Sequence, residues 1–258
     1  MITAIVQGQP YPQTEAILNH LSNVAVISEI LVVTSTTDRS VVLPADARQI
    51  RIDESNLFPG VGNRNRQIAK SLAGVQQATN PITIKMRSDQ VFTAYTLNNM
   101  ISWYMDNKQL PTTGRNGKSL NPIYTLGNYS TFPFHPRDHL FMGKTEDILL
   151  LFDIPLDTIA APADYTVVVR SETYIGQFYM NRFIDIDRMI RSPTSYLTDL
   201  APCRNEAMVL NAKHIDTVFK PFPKVDFEWP NKGLSNYYFD FVAGHGQYWS
   251  PGFIGKSG

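Results

Sequence analysis

Residues 63–89 read NRNRQIAKSLAGVQQATNPITIKMRSD, and this stretch decides the fold. Ile68, Leu72 and Val75 recur at the spacing of one helix face, while Arg64, Arg66 and Lys70 stay off that stripe. The spacing predicts a short amphipathic helix whose arginines sit on a solvated face. Asn80-Pro81 then breaks the chain. Ile82-Thr83-Ile84-Lys85-Met86 has the alternation and β-branching of a buried strand, which delivers Asp89 at its carboxyl end. Open α/β sheets gather ligand chemistry at such strand ends.

The flanking sequence repeats the alternation. Ile2 to Gly8 is a short apolar run closed by Gly8 and Pro10, Gln13 to Val24 is helical in pattern, and Glu29 to Thr36 reads as a buried parallel strand. Gln49 to Asp53 makes a shorter strand. Strand–helix–strand order predicts an α/β domain with a Rossmann-like, mostly parallel central sheet flanked by helices. Beyond Asp89, Thr93 to Asn107 reads as a helix buried through Leu97, Met100, Ile101, Tyr104 and Met105. Ile123 to Thr131 and Asp138 to Met142 read as strands, with a helix starting near Thr145 as cap. Ser171-Glu172 opens a further helix carrying Tyr174, Phe178 and Phe183.

Composition narrows the function. Lys plus Arg number 23 and Asp plus Glu number 23, so the net charge is zero. A nucleic-acid protein that neutralises phosphates would carry a basic excess, and none is expected as partner. The single cysteine, Cys203, excludes an internal disulfide framework and a cysteine-rich zinc site, and suits a reducing compartment. No apolar run reaches the ~18 residues that span a bilayer. The start, MITAIVQGQP, reads as a first strand rather than a signal peptide. A cytoplasmic protein with at most peripheral membrane contact is expected. The glycines of Pro59-Gly60-Val61-Gly62-Asn63 do not follow the first strand, and Asn65 stands where a third would be, so they do not form a dinucleotide fingerprint.

Three blocks carry a family resemblance. Residues 134–152, FHPRDHLFMGKTEDILLLF, together with Lys85-Met86-Arg87-Ser88-Asp89 and Ser171-Glu172-Thr173-Tyr174, stand in one order. That order resembles the WavE-type lipopolysaccharide-synthesis family of glycosyltransferases, and the helix–strand block resembles the nucleotide-sugar half of GT-A enzymes. The matched blocks lie within roughly residues 2–180.

The resemblance implies a single GT-A-like domain over 1–258, with a nucleotide-sugar-binding half at 1–110 and an acceptor-side half at 111–200. Residues 201–258, rich in proline and aromatics, would form an extended wrap or lid. It implies a nucleotide-sugar donor and a lipopolysaccharide, capsule or related glycan or glycolipid acceptor. The donor would lie against Gln7, Gly8, Asp53, Arg66, Arg87 and Asp89.

GT-A enzymes bind Mg2+ or Mn2+ through a D-x-D motif, with Asp89 and a late histidine, His245, as the metal candidates here. The motif reads Arg87-Ser88-Asp89, so its first carboxylate is missing and Arg87 is an alternative source of charge. Asp89 as a cap for the helix near Thr93 is the structural alternative. Glu172 or Asp138, the latter flanked by His135 and His139, would be the base of an inverting transfer. A retaining one needs no such base. A degenerate transferase that only binds nucleotide or glycan, and a sugar nucleotidyltransferase, are the competing readings.

Overall fold

The computed structural model describes residues 1–11, 14–60, 63–90, 92, 94–107, 111–115, 117, 119–128, 133–158, 171–187 and 204–222. Cys203, His245, Thr93 and the wrap beyond residue 222 lie outside them. The chain opens with β1 (Ile2–Gln7), α1 (Thr14–Ser22), β2 (Ile27–Ser35) and β3 (Ala47–Ile52). It continues through α2 (Arg64–Gln76), β4 (Ile82–Arg87) and α3 (Ala94–Asn107) to a two-stranded ribbon of β5 (Thr112–Thr113) and β6 (Ser119–Leu120). Next come β7 (Ile123–Thr125), β8 (Leu140–Lys144), α4 (Thr145–Phe152) and α5 (Ser171–Met180). The last described elements are α6 (Arg204–Val218) and β9 (Phe219–Pro221).

Seven strands form one sheet in the order β3-β2-β1-β4-β8-β7-β9. β3, β2, β1 and β4 are mutually parallel, β7 and β9 pair parallel, and β8 alone runs antiparallel to both neighbours. The sheet is therefore mostly parallel and flanked by helices, as the strand–helix alternation requires. Both faces are buried. Ile5, Leu31 and Val33 pack with Ile68 and Val75 of α2 and with apolar residues of α4, α5 and α6. Ala4, Val6, Ile30, Val32, Ile84 and Met86 pack with Ile17 and Leu21 of α1 and Leu97 and Ile101 of α3.

The chain order places the site. After β3 the chain returns across β1 to form β4 on its other side, so the strand order reverses between β1 and β4. The connections leaving those two carboxyl ends diverge and open a crevice. β8 contributes to the same end because it is reversed: Leu140 pairs with Met86, and the turn just before β8 arrives beside the end of β4.

Several local expectations are corrected. Arg64 was expected on a solvated helix face, but it is buried against a distant carboxylate, and so is Lys70, which lies off the apolar stripe. Arg64 meets Asp157 at 3.3 Å and stacks on Tyr174 at 4.7 Å, and Lys70 meets Glu54 at 2.9 Å. Met105 is 43% exposed at the end of α3, off the buried face. Asp138 lies in the turn ahead of β8 rather than within a strand. β7 stops at Thr125, whose hydroxyl sits 3.0 Å from the carbonyls of Gly127 and Arg137 and turns the chain. Thr145 does not cap α4; its hydroxyl donates to the Asn80 carbonyl at 2.5 Å and ties the helix to the start of β4. Residues 204–222, expected in an extended tail, are α6 and β9, and β9 extends the sheet edge.

Gly176 makes the packing of α5 possible. A Cβ there would fall 2.1 Å from the Phe134 carbonyl oxygen and 2.7 Å from Pro136 Cδ. Backbone cannot yield as a flexible side chain can, so Gly176→Ala is expected to destabilise the protein by about 2 kcal/mol, in the range for overpacking. Urea denaturation of the two proteins measures the difference.

Candidate active site

A cleft of about 330 Å³ opens at the carboxyl ends of β1 and β4. It is lined by Gln7, Gly8, Gln9 and Tyr11 after β1, by Asn63, Arg66, Gln67 and Lys70 of α2 and its entry, by Arg87, Ser88 and Asp89 after β4, and by Asp138. The floor is held by backbone. Gly8 N–H donates to the Val33 carbonyl at 3.1 Å, Ser88 N–H to the Gln7 carbonyl at 3.0 Å, and Ser88 Oγ to the Gln9 carbonyl at 2.7 Å. Gly8 has φ +134°, which only glycine adopts freely, and a Cβ would stand 2.4 Å from Ser88 Oγ.

Arg87 organises the charged wall. Its Nε and Nη2 donate to the two oxygens of Asp89 at 2.9 and 2.6 Å, and Nη1 reaches Asp138 Oδ2 at 3.3 Å. Gln67 Nε2 donates to that same Asp138 oxygen at 2.8 Å. The Asp138 side chain is 4% exposed and that of Asp89 8%, whereas Arg87 is 33% exposed and faces the cleft from between them. Burial pushes the Asp89 carboxyl up, but hydrogen bonds and charge from Arg87 outweigh it and hold it below its ordinary value. Burial opposes ionisation of Asp138 in the same way. The positive charges of Arg87, the larger influence, and Lys85 nevertheless hold Asp138 well below the usual carboxylate range. Arg87 is raised in turn, because the two carboxylates more than offset its burial. Tyr11 is raised by burial and by the charge of Asp89.

Behind this wall lies a charge in the apolar core. Lys85 stands in register with Ile5, fully buried, with its Nζ 5.6 Å from the Phe141 ring, 5.5 Å from the Phe152 ring and 3.4 Å from the Asp138 carbonyl oxygen. Burial lowers its pKa to about 8, with Asp138 pulling the other way. His139 is lowered to about 4 by burial, so it is neutral at pH 7, and its Nδ1 contacts the Gln90 side-chain amide.

The structure thus brings Gln7, Gly8, Arg66, Arg87, Asp89 and Asp138 to one cleft. It does not bring Asp53 there. Asp53 lies exposed past the end of β3 and accepts the Ser55 N–H at 2.9 Å. Glu172, in the first turn of α5, lies outside the cleft lining, 24% exposed, with its carboxylate 3.9 Å from His135 Nε2. Both oxygens of Asp89 accept from Arg87, and Thr93, near which Asp89 was the alternative cap, lies outside the described residues. Glu146-Asp147 divides its roles: Asp147 is buried and accepts from Asn121 Nδ2 at 2.7 Å, while Glu146 is exposed. Sequence reasoning gave no role to Tyr11, Gln67 and Ser88, which line the cleft, or to Lys85. A lysine inside an apolar strand was the available signal for Lys85.

Among the described residues, the cleft carboxylates do not form a ready site for a divalent cation. Among the described residues no three histidine, cysteine, aspartate or glutamate side chains converge to hold a metal. The two cleft carboxylates, Asp89 and Asp138, converge instead on the Arg87 guanidinium. A cation between them would meet that guanidinium at contact distance.

The family model described as WavE lipopolysaccharide synthesis matches residues 59–192, more than half of the 258-residue chain. The chain belongs to the WavE lipopolysaccharide synthesis family. The segment shared with the family contains α2, β4, Arg87, Asp89, Asp138 and Glu172, and so most of the charged wall. Comparison with curated proteins gave no match. Solved structures that align with the chain include a 4-diphosphocytidyl-2C-methyl-D-erythritol synthase from Anaerococcus prevotii DSM 20548, at 13% identity and TM-score 0.38 over 59% of this chain and 73% of that one. They also include a mannosyltransferase from Pyrobaculum calidifontis in complex with GDP-Man and Mn2+, at 15% identity and TM-score 0.42. That alignment covers 70% of this chain and 52% of the mannosyltransferase. A manganese complex from Mycobacterium tuberculosis H37Rv aligns at 10% identity and TM-score 0.32, over 57% of this chain and 74% of that one. At these scores the likenesses carry no inference about chemistry.

Lys85 gives a test of the buried charge. Its folded pKa of about 8 lies below the ordinary 10.5, so between those values the unfolded chain binds more protons than the folded one. Stability from this group therefore rises with pH across that window and is lowest below it. Lys85→Met is expected to remove the rise, roughly 3 kcal/mol at about 1.4 kcal/mol per pKa unit. Urea denaturation of both proteins across the window isolates it from the tyrosines that titrate nearby.

Proposed function

We propose that this protein is a glycosyltransferase that moves a sugar from a nucleotide-sugar donor to a lipopolysaccharide, capsule or related surface-glycan acceptor. One observation carries the reading. In a chain of the WavE lipopolysaccharide synthesis family, the crevice at the β1/β4 reversal combines a backbone floor at Gln7 and Gly8 with two arginines, Arg66 and Arg87. Guanidinium groups pair bidentately with phosphate oxygens. The cleft volume of about 330 Å³ is at the small end of the range for ligand pockets.

In this reading the nucleoside lies over Gln7 and Gly8, with the diphosphate between Arg66 and Arg87. The bond from the anomeric carbon to the diphosphate oxygen breaks, and the diphosphate leaves with the electron pair. The acceptor oxygen forms the new bond to that carbon and its proton passes to a carboxylate. Glu172 suits that role better than Asp138, because Asp138 is buried, bonded to Arg87 and Gln67, and held well below the usual carboxylate range. No described helix is long and apolar enough to cross a membrane. A glycolipid acceptor would then be met at the inner face of the membrane by peripheral contact, in the cytoplasm where nucleotide sugars are available.

The test pairs binding with transfer. Thermal shifts with a panel of nucleoside diphosphates and nucleotide sugars are expected to single out one base. A ligand at 100 times its dissociation constant adds about 2.7 kcal/mol of stability. Arg66→Ala, a change at an exposed side chain, is expected to weaken that ligand by about tenfold or more, the loss of a charged hydrogen bond. Glu172→Gln is expected to keep donor affinity and lose transfer. Nucleotide binding with no transfer to any glycan acceptor would favour the degenerate transferase, and a panel with no shift at all would remove the donor site.

A further inference from the structure

We propose that Arg87, clamped between Asp89 and Asp138, is the built-in cation of the donor site and stands where a divalent metal ion would otherwise bridge carboxylate and diphosphate. The inference rests on the donor-site reading above and assigns that site its source of positive charge.

Three observations carry it. The first is geometric. Both oxygens of Asp89 accept from Arg87, at 2.9 and 2.6 Å, and Asp138 Oδ2 accepts from Arg87 at 3.3 Å and from Gln67 at 2.8 Å. The carboxylates that would hold a metal are thus already turned toward one guanidinium. A carboxylate doubly bonded to a guanidinium would have to break that pairing to give both oxygens to a metal.

The second is charge balance. A site built for a divalent ion keeps an excess of carboxylate that the ion neutralises. Here Lys85 Nζ lies 3.4 Å from the Asp138 carbonyl oxygen and Arg87 pairs with both carboxylates. Among the described residues two cations thus offset Asp89 and Asp138, with the charge of Glu172 also acting on both cations. The cluster closes with no ion added, and Arg66 adds a further positive charge at the mouth of the cleft. Lys85 has a positioning role in this arrangement. By offsetting Asp138 from the core side, it leaves more of the Arg87 field to the ligand.

The third is access. Asp138 is 4% and Asp89 8% exposed, whereas Arg87 is 33% exposed and lines the cleft. What a ligand meets is the guanidinium, with the carboxylates behind it. Asp89 and Asp138 occupy only part of the guanidinium's N–H donors, and the rest can bond a phosphate oxygen. As the diphosphate leaves, the charge it gains is met by donors already fixed in place, so little reorganisation is needed at that moment.

The deciding experiment uses the full chain with UDP, GDP, ADP and CDP as probes, titrated in EDTA and again with Mn2+. Wild-type affinity for the preferred nucleotide is expected to be the same within twofold in both conditions. Arg87→Gln is expected to bind it at least tenfold more weakly in EDTA and to regain affinity with Mn2+, because Asp89 and Asp138 are then released to hold the ion. A merely structural arginine would not produce that metal rescue. A second measurement depends on neither the variant's folding nor the nucleotide: Mn2+ alone, titrated onto wild type and followed by electron paramagnetic resonance, is expected to show no stoichiometric site. Wild-type nucleotide binding that disappears in EDTA and returns with Mn2+ would overturn the proposal. So would a stoichiometric Mn2+ site that Asp89→Asn abolishes. If no nucleotide binds in either condition, the donor-site reading fails and takes this inference with it.

Discussion

Everything at the carboxyl end of the sheet depends on how one guanidinium is held. Arg87 ends a central strand, in register with Gln7 of β1 and one residue past the last pairing of β4 with β8, Met86 with Leu140. Its side chain is fixed by Asp89 two residues on and by Asp138 fifty-one residues on. Removing one partner of such a buried set leaves an uncompensated charge in low dielectric, at a cost of about 3–5 kcal/mol. The interaction therefore couples two strand ends and the turn before β8, and it points a cation at the space where the chain order reverses. Lys85 belongs to the same problem. An ammonium in the core is tolerable here because two aromatic faces and the Asp138 carbonyl surround it.

The single reversed strand makes this possible. In an all-parallel sheet the residues before a strand would lie at the opposite edge from the site. Because β8 runs against β4, the turn that precedes it arrives at the carboxyl end, and a residue of no special local pattern becomes a wall of the cleft. The α2 helix closes the opposite wall. Its Asn65 binds the 155–157 segment, receiving the Asp157 N–H at 2.7 Å and donating to the Asp157 carbonyl at 2.7 Å. Its exposed Arg66 is left facing the crevice.

What was legible in the sequence follows from the range of the forces involved. The helix–turn–strand block of residues 63–89 was readable because hydrophobic spacing and the Asn-Pro break are local signals. The position of Gln7, Gly8 and Asp89 at one crevice followed from strand order alone. The fate of Arg64 and Lys70 was not readable, because what buries them, Asp157 and Glu54, comes from distant or irregular segments. Asp138 was assigned to a strand with the apolar run that follows, Leu140-Phe141-Met142, yet tertiary pairing begins the strand only at Leu140. That the imperfect acidic motif at 87–89 closes on itself could not be read from spacing, because it requires knowing that a second carboxylate arrives from residue 138. The edge of the sheet was misread for the same reason: β9 is strand only because β7 offers it a partner.

The contact between Gly8 and Ser88 has a consequence for how such chains diverge. The two residues follow different strands, eighty positions apart in sequence, yet the space for a Cβ on one is filled by the hydroxyl of the other. Gly8 can gain a Cβ only if the Ser88 hydroxyl gives up its bond to the Gln9 carbonyl at the point where the crevice opens. Within a lineage the pair should behave as one inherited unit, drifting together or not at all. Variation in what the cleft accepts is then left to exposed wall residues outside the charged set, such as Asn63, while the floor stays as it is.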